Sequence, residues 1–145
     1  DSVCEGYVYR LSGGKGYRSP GIKRAAGALY DGDVIDSGEG GPLFVVEGPM
    51  DRLALCPYNA VATYGKDITD AQMARIARYD GSVVFALDGD AWVENFTFAL
   101  TANLLGHSDV SWVRLPSCKD PGDLGLKTVN LKRNRVGRDS LDWSV

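Results

Sequence analysis

The sequence has few of the residues that mark a secreted or zinc-binding protein. Its 145 residues include three cysteines and one histidine. Cys4, Cys56 and Cys118 lie far apart and outside any CxxC pair, which favours reduced thiols over a disulfide framework or a structural zinc site. His107 follows a glycine that ends a predicted helix, so we expect it in a surface loop, and a single histidine supports no persuasive Ser/His/Asp arrangement.

The sequence also lacks an apolar run of membrane-spanning length and the basic-then-apolar start of a signal peptide. We therefore expect a cytoplasmic protein with no membrane partner. Hydrophobic residues make up 44% of the chain and charged residues 24%, as in a globular protein with a packed core. The formal net charge is -3, with acidic residues concentrated in the middle and basic residues at both ends. An acidic centre needs bridging cations if it is to meet a polyanion.

Four short apolar runs predict the strands of a sheet that is buried on both faces. The runs are residues 43–46, 60–63, 83–87 and 110–115. Helical patterns separate them. Thr69 and Gln72 have the spacing of a capping box before a helix expected over 70–78, and an apolar stripe from Trp92 to Leu104 predicts a longer helix with Trp92 in the core.

This alternation predicts an α/β fold with a mostly parallel four-stranded sheet flanked by helices. In such sheets, ligands bind beyond the carboxyl ends of the strands. We expect a small basic, β-rich lead-in over residues 1–40, the α/β domain over 41–126, and a polar basic tail over 127–145.

Acidic residues follow three of the four predicted strands, at the edge where such a fold places its chemistry. They are Glu47, Asp51, Asp88, Asp90, Asp120 and Asp123. Each one alone could simply cap a helix or complement its dipole. Six carboxylates at one edge, however, would raise each other's pKa values unless divalent cations neutralise them. Oxygen ligands with no histidine or cysteine nearby favour Mg²⁺ or Mn²⁺, and two such ions can support an in-line displacement at phosphorus.

Several segments follow one another in the order of a known family. The segment FVVEGPMDRLAL matches a Glu-Gly-x-x-Asp motif, and FALDGDAW matches an Asp-x-Asp strand end. Further similarity lies in LPSCKDPGDL, in the intervening ATYGKDITDAQMARI, and in the upstream YRSPGI and ALYDG. Over roughly residues 40–125 the chain therefore resembles the TOPRIM domain of bacterial and phage DNA primases.

The resemblance implies a role for each acidic residue. Glu47 would act in acid/base work or ligate metal, and Asp88 and Asp90 would be the main metal ligands, so these three would be the catalytic residues. Asp51 would support them as a ligand. The remaining pair, Asp120 and Asp123, would complete a second position for Mg²⁺ or Mn²⁺.

Basic residues of the lead-in resemble those with which primases hold the template and the incoming nucleotide, although a solvated face would explain them as well. They are Lys15, Arg18, Lys23 and Arg24. Beside the last acidic motif, Lys119 would contact a triphosphate or a nucleic-acid backbone, with a solvated loop lysine as the alternative.

The implied activity is that of a DNA primase-like nucleotidyltransferase, a DNA-directed RNA polymerase. It would join nucleoside triphosphates into RNA primers on a single-stranded DNA template in a Mg²⁺-dependent reaction. Two alternatives stay open. One is a TOPRIM nuclease that cleaves DNA or RNA phosphodiesters, and the other is a non-catalytic module that binds nucleic acid or a replication partner.

The chain has no room for the zinc-binding and helicase-interacting modules of such primases. We therefore expect either an excised catalytic core or a small stand-alone protein of phage or plasmid type. A replicative helicase would be a partner only through regions outside this chain.

Overall fold

The computed structural model describes residues 9–10, 12–13, 17–18, 24–38 and 40–137. In the first part, the two-residue strands β1 (Tyr9–Arg10) and β2 (Tyr17–Arg18) pair antiparallel. A short 3₁₀ helix (Arg24–Ala26) follows.

The centre of the molecule is a five-stranded sheet. Its strands are β3 (Leu43–Val46), β4 (Ala60–Ala62), β5 (Val83–Phe85), β6 (Val110–Val113) and β7 (Arg133–Val136). Their spatial order is β4-β3-β5-β6-β7. The first four strands in this order are parallel, and β7 pairs antiparallel with β6. The predicted α/β class and mostly parallel sheet are confirmed.

The predicted number of four strands is wrong, because β7 adds a fifth strand at the edge. This strand lies in the segment that we expected to be a polar tail. Of its four residues only Val136 is buried, whereas Arg133 and Arg135 are exposed. Charged side chains are common on edge strands because they discourage pairing with other chains, and they hide the apolar pattern that identified the other strands.

Helices cover both faces of the sheet. They are α1 (Asp33–Asp36), α2 (Pro49–Ala54), α3 (Asp70–Ile76), α4 (Trp92–Leu104) and α5 (Pro121–Leu124), and a 3₁₀ helix (Gly125–Asn130) follows α5. No helix in the described ranges is both long and apolar enough to cross a lipid bilayer.

Strand β3 shows how the core is divided between the two faces. Its residues alternate, so that Leu43 and Val45 pack on the side of α3 and α4 while Phe44 and Val46 pack on the side of α2. All four side chains are fully buried. The carboxyl end of β3 is therefore fixed from both sides.

The predicted capping box of α3 is present. The Thr69 hydroxyl accepts a hydrogen bond from the Gln72 backbone N–H at 3.2 Å, and the Gln72 side-chain oxygen accepts one from the Thr69 backbone N–H at 3.0 Å. The Gln72 side-chain amide also donates to the carbonyl oxygens of Ala28 and Thr63. This buried side chain therefore ties the segment before the sheet to the end of β4.

Two further expectations are wrong. His107 is buried instead of lying in a surface loop, and its Nε2 is 2.9 Å from the carbonyl oxygen of Tyr79. Trp92 is 40% exposed instead of belonging to the core, because it stands at the first turn of α4. Cys56 and Cys118 are free and exposed, as expected for reduced thiols, and Cys4 lies outside the described residues.

Candidate metal centre

The central strands β3 and β5 bring two carboxylates together at the carboxyl edge of the sheet. Glu47 follows β3 directly, and Asp88 follows β5 after two buried residues. Because β3 and β5 are parallel neighbours, with Val45 opposite Phe85, both strands end at the same edge. The Asp88 backbone N–H donates a hydrogen bond of 3.4 Å to Oε1 of Glu47. The structure thus places two of the predicted catalytic residues side by side.

Asp51 connects the start of α2 with the start of α5. Its Oδ2 accepts a hydrogen bond from the Gly48 backbone N–H at 2.9 Å, and its Oδ1 accepts one from the Gly122 backbone N–H at 3.0 Å. The side chain is buried. Both oxygens are therefore held by the backbone, and this carboxylate fixes the position of the α5 acids relative to β3.

The two acidic residues of α5 stand on the other side of this link. Asp120 caps the helix, because its Oδ1 accepts a hydrogen bond from the Asp123 backbone N–H at 2.6 Å. Asp123 is exposed, and its Oδ2 lies 3.9 Å from Nζ of Lys119. Lys119 therefore stands at the acidic edge, paired with a carboxylate.

The turn between Asp88 and Asp90 requires its glycine. The Gly89 backbone N–H donates to the carbonyl oxygen of Lys119 at 2.8 Å. A Cβ atom at Gly89 would collide with the backbone carbonyl of Pro116. The Asp-Gly-Asp turn is thus packed directly on the loop that leads into α5, which brings the third and fourth strand ends together.

Burial and neighbouring negative charge make Asp88 the most perturbed of these acids. Burial, followed by the charges on Glu47, Asp51, Asp120 and Asp90, raises the pKa of Asp88 to about 7. Its Oδ1 is buried and has no hydrogen-bond partner among the described residues. An unpartnered buried carboxylate oxygen is costly unless a proton or a cation binds it.

The pKa values of two other acids are raised for the same reasons. Burial raises the pKa of Glu47 most, the charges on Asp51 and Asp90 add to this, and the Asp88 N–H and Lys66 oppose it. Burial also raises the pKa of Asp51, with the charges of Asp120 and Asp123 adding and its two backbone hydrogen bonds opposing. Each of the six predicted acids therefore lies close enough to at least one other for their charges to interact.

Lys66 is a candidate site residue that the sequence analysis missed. It follows β4 by four residues, after Gly65, and its positive charge lowers the pKa of Glu47. The acids were identified because they follow the carboxyl ends of parallel strands. Lys66 could have been found in the same way, because the carboxyl end of β4 lies at the same edge as the carboxyl ends of β3 and β5. An exposed lysine in a turn gives no further local signal.

The chemistry of this edge fits Mg²⁺ or Mn²⁺. The candidate donors are carboxylate oxygens, one of them is buried without a partner, and mutual repulsion favours a bound cation. Within the part of the chain that the structure describes, no three Asp, Glu, His or Cys side chains are already arranged around one ion position. Mg²⁺ typically takes only one or two carboxylates together with waters and substrate phosphates. The edge therefore suits an ion that arrives with a phosphate-bearing ligand.

The predicted basic residues are described only in part. Lys15 and Lys23 lie outside the described residues, and of Arg18 only the backbone, in β2, is described. The Arg24 guanidinium donates to the carbonyl oxygen of Thr63 at 3.0 Å and to that of Asp67. Arg24 thus fastens the lead-in to the end of β4, and binding of nucleic acid by these residues stays a prediction.

A sequence profile of the Toprim-like family matches residues 44–124, which include all six acids. This match covers more than half of the chain, and the chain belongs to the Toprim-like family. No curated protein sequence matches the chain.

Solved structures similar to this chain are DNA primase domains. One is the DnaG catalytic core, with 30% identity, a TM-score of 0.66, and coverage of 84% of this chain and 44% of that chain. A DNA primase domain from Pseudomonas aeruginosa has 25% identity and a TM-score of 0.66, and the match covers 90% of this chain and 47% of that one. Family and neighbours together identify a TOPRIM domain of the primase type.

The zinc-binding and RNA polymerase domains of the Aquifex aeolicus primase share the fold. The identity is 22% and the TM-score 0.64, with coverage of 91% of this chain and 38% of that chain. The present chain spans less than half of the length of each of the three structures.

The raised pKa of Asp88 predicts a pH dependence of stability in the absence of divalent ions. An acid whose pKa is higher in the folded protein binds protons more tightly there, so the free energy of unfolding falls as pH rises from roughly 4 to 7. Replacing Asp88→Asn removes the ionisable group and should make the fall smaller. Urea unfolding in EDTA, at several pH values between 4 and 8, measures this slope.

The matched control is Asp80→Asn, at an exposed loop position. It should leave the slope of the native protein unchanged. The free energy of unfolding could also fall with pH equally steeply in Asp88→Asn, in Asp80→Asn and in the native protein. That result would show that Asp88 does not titrate as described.

The tight packing of Gly89 predicts a large effect for a single methyl group. The variant Gly89→Ala has to displace the backbone at Pro116, so it should lose about 1–3 kcal/mol of stability, the usual cost of overpacking. Gly40→Ala is the control because nothing lies within 4 Å of the Cβ position there, and its change should stay within about 0.5 kcal/mol. Equal stabilities of the two variants in urea unfolding would contradict the close contact.

Proposed function

We propose that this TOPRIM domain supports Mg²⁺-dependent nucleotidyl transfer, making RNA primers on single-stranded DNA. The observation that carries the proposal is the buried, unpartnered Oδ1 of Asp88, beside Glu47 and near three further carboxylates. Similarity to primase domains supports the choice of reaction. That two metal ions bind is also part of the proposal.

The described acids divide between two ion positions in this proposal. Asp88 and Asp90 would hold the first Mg²⁺ or Mn²⁺, and Asp120 and Asp123 would contribute to the second. Because both oxygens of Asp51 are held by backbone N–H groups, its main role here is to position α5. Bound ions would lower the pKa of a 3′-hydroxyl and stabilise negative charge on the phosphate.

In the reaction, a 3′-hydroxyl oxygen attacks the α-phosphorus of a nucleoside triphosphate. A new P–O bond forms, the bond to the β-phosphate breaks, and pyrophosphate leaves with the electron pair. Glu47 would accept the proton of the attacking hydroxyl, because burial and negative neighbours raise its pKa from that of an ordinary glutamate. Lys66 and Lys119 would bind phosphate groups through their charges.

The remaining partners belong to this proposal as well. A single-stranded DNA template would follow the basic lead-in with Lys15, Arg18 and Lys23. Contact with a replicative helicase, a cytoplasmic location and a phage or plasmid origin stay predictions.

Template-dependent synthesis tests the proposal. The chain is incubated with single-stranded DNA, labelled nucleoside triphosphates and Mg²⁺ or Mn²⁺, and products are separated by length. Asp88→Ala and Asp90→Ala should each reduce extension on the order of 100-fold or more, since even residues that only orient metal ligands typically account for 10- to 100-fold. Asp80→Ala, which removes an exposed acid away from the edge, should retain native activity.

Other products would point to other functions. Shortening of the DNA with Mn²⁺ and without nucleotides would favour a nuclease over a primase. If neither extension nor shortening occurs and calorimetry shows no binding of Mn²⁺ with nucleotide present, the domain is a non-catalytic binding module. Native activity in Asp88→Ala and Asp90→Ala would contradict the assignment of the metal centre.

A further inference from the structure

An aromatic and cationic surface adjoins the acidic edge, and the proposed metal centre does not use it. Trp92 and Trp112 stack with their ring centroids 6.4 Å apart and their planes inclined by 27°. The guanidinium carbon of Arg114 lies 4.9 Å from the Trp92 ring centroid. We call Trp92, Trp112 and Arg114 the tryptophan platform.

The platform is positioned by the same strand ends as the acids. Trp92 begins α4 two residues after Asp90, and Arg114 directly follows the carboxyl end of β6. Side chains two residues apart on a strand point to the same face, which places Arg114 in line with Trp112. Phe96, one turn along α4, contacts the Trp112 ring edge-on at 6.1 Å between centroids and supports it.

Two members of the platform, Trp92 and Arg114, keep exposed surface that could bind a ligand. Trp92 leaves 40% of its surface exposed, although tryptophan is one of the residues that gain most from burial. Arg114 is exposed, and among the described residues no carboxylate forms an ion pair with it, despite the six acids near the same edge. An indole and an unpaired guanidinium are thus presented together to solvent.

This combination matches the chemistry of a nucleotide unit. Bases of single-stranded nucleic acids stack on aromatic rings and on arginine guanidinium planes, and arginine also binds the phosphate. A base can therefore stack on the exposed part of Trp92 or on the Arg114 guanidinium that lies over it, while the charge of Arg114 attracts the adjoining phosphate.

We propose that the tryptophan platform binds one base and its neighbouring phosphate in a single-stranded nucleic acid beside the metal centre. This inference rests on the proposed function, because it identifies the surface that a strand follows as it reaches the acids. Stacking makes the site tolerant of base identity, since every base has an aromatic face.

Two oligonucleotides of equal length and charge test the proposal. One is a fluorescein-labelled thymidine oligonucleotide, and the other has the same backbone without bases. Binding is measured by fluorescence anisotropy at several salt concentrations in EDTA, so that no divalent ion takes part. The variants are Trp92→Ala, Trp92→Phe and Arg114→Gln, with Leu104→Ala and Arg78→Gln as controls at exposed positions away from the platform.

The expected result separates the base from the phosphate. Trp92→Ala should weaken binding of the thymidine strand about tenfold, Trp92→Phe should restore most of it, and neither should change binding of the abasic strand. Arg114→Gln should weaken binding of both strands and reduce the slope of log affinity against log salt by about 0.7. The two control variants should bind as the native protein does.

Three results would overturn the proposal. The variant Trp92→Ala could bind the thymidine strand as tightly as the native protein does, or it could lose as much affinity for the abasic strand as for the thymidine strand. The third result is that the native protein binds neither strand. A free nucleoside triphosphate could also displace the labelled strand as effectively as unlabelled strand does. That result would assign the surface to a nucleotide instead. The platform experiment uses no divalent ion and no nucleoside triphosphate, so a failure of the proposed function in the synthesis experiment remains distinguishable from a failure of the platform.

Discussion

The site depends on one electrostatic constraint, the burial of a carboxylate among other carboxylates at the edge of the sheet. Asp88 and Glu47 are held side by side, because the parallel pairing of β3 with β5 ends both strands at the same edge. The backbone N–H of Asp88 also donates a hydrogen bond to the side chain of Glu47. Burial raises the pKa of both groups, and Oδ1 of Asp88 lacks a partner among the described residues. A cation at this edge would relieve both costs.

The surrounding structure holds this arrangement with hydrogen bonds that involve backbone groups. Asp51 binds the amides of Gly48 and Gly122, and the amide of Gly89 binds the carbonyl of Lys119. These hydrogen bonds join three strand ends that are distant in the sequence. Because they use backbone groups, these bonds fix Asp51 and the Asp88–Asp90 turn relative to the start of α5.

Much of the fold and the acidic edge could be predicted from the sequence, for physical reasons. Strands buried on both faces need continuous apolar runs, and parallel strands place their carboxyl ends together. The missed features depend on neighbours instead of local pattern. Strand β7 lies at the sheet edge with charged side chains, and Trp92 is partly exposed at the start of α4 although its spacing fits a core stripe. His107 is buried with its ring nitrogen beside the carbonyl of Tyr79, which is distant in the sequence.

The most direct test of the central claim is to locate Mn²⁺ by its paramagnetic broadening of backbone amide signals in NMR spectra. At substoichiometric Mn²⁺, with a nucleoside triphosphate present, the account predicts strong broadening at Gly48, Gly89 and Gly122, which surround the carboxylates. Gly106, which follows the far end of α4, should keep a sharp signal. Uniform broadening of all four signals, or none at the first three, would contradict a divalent cation bound among these acids.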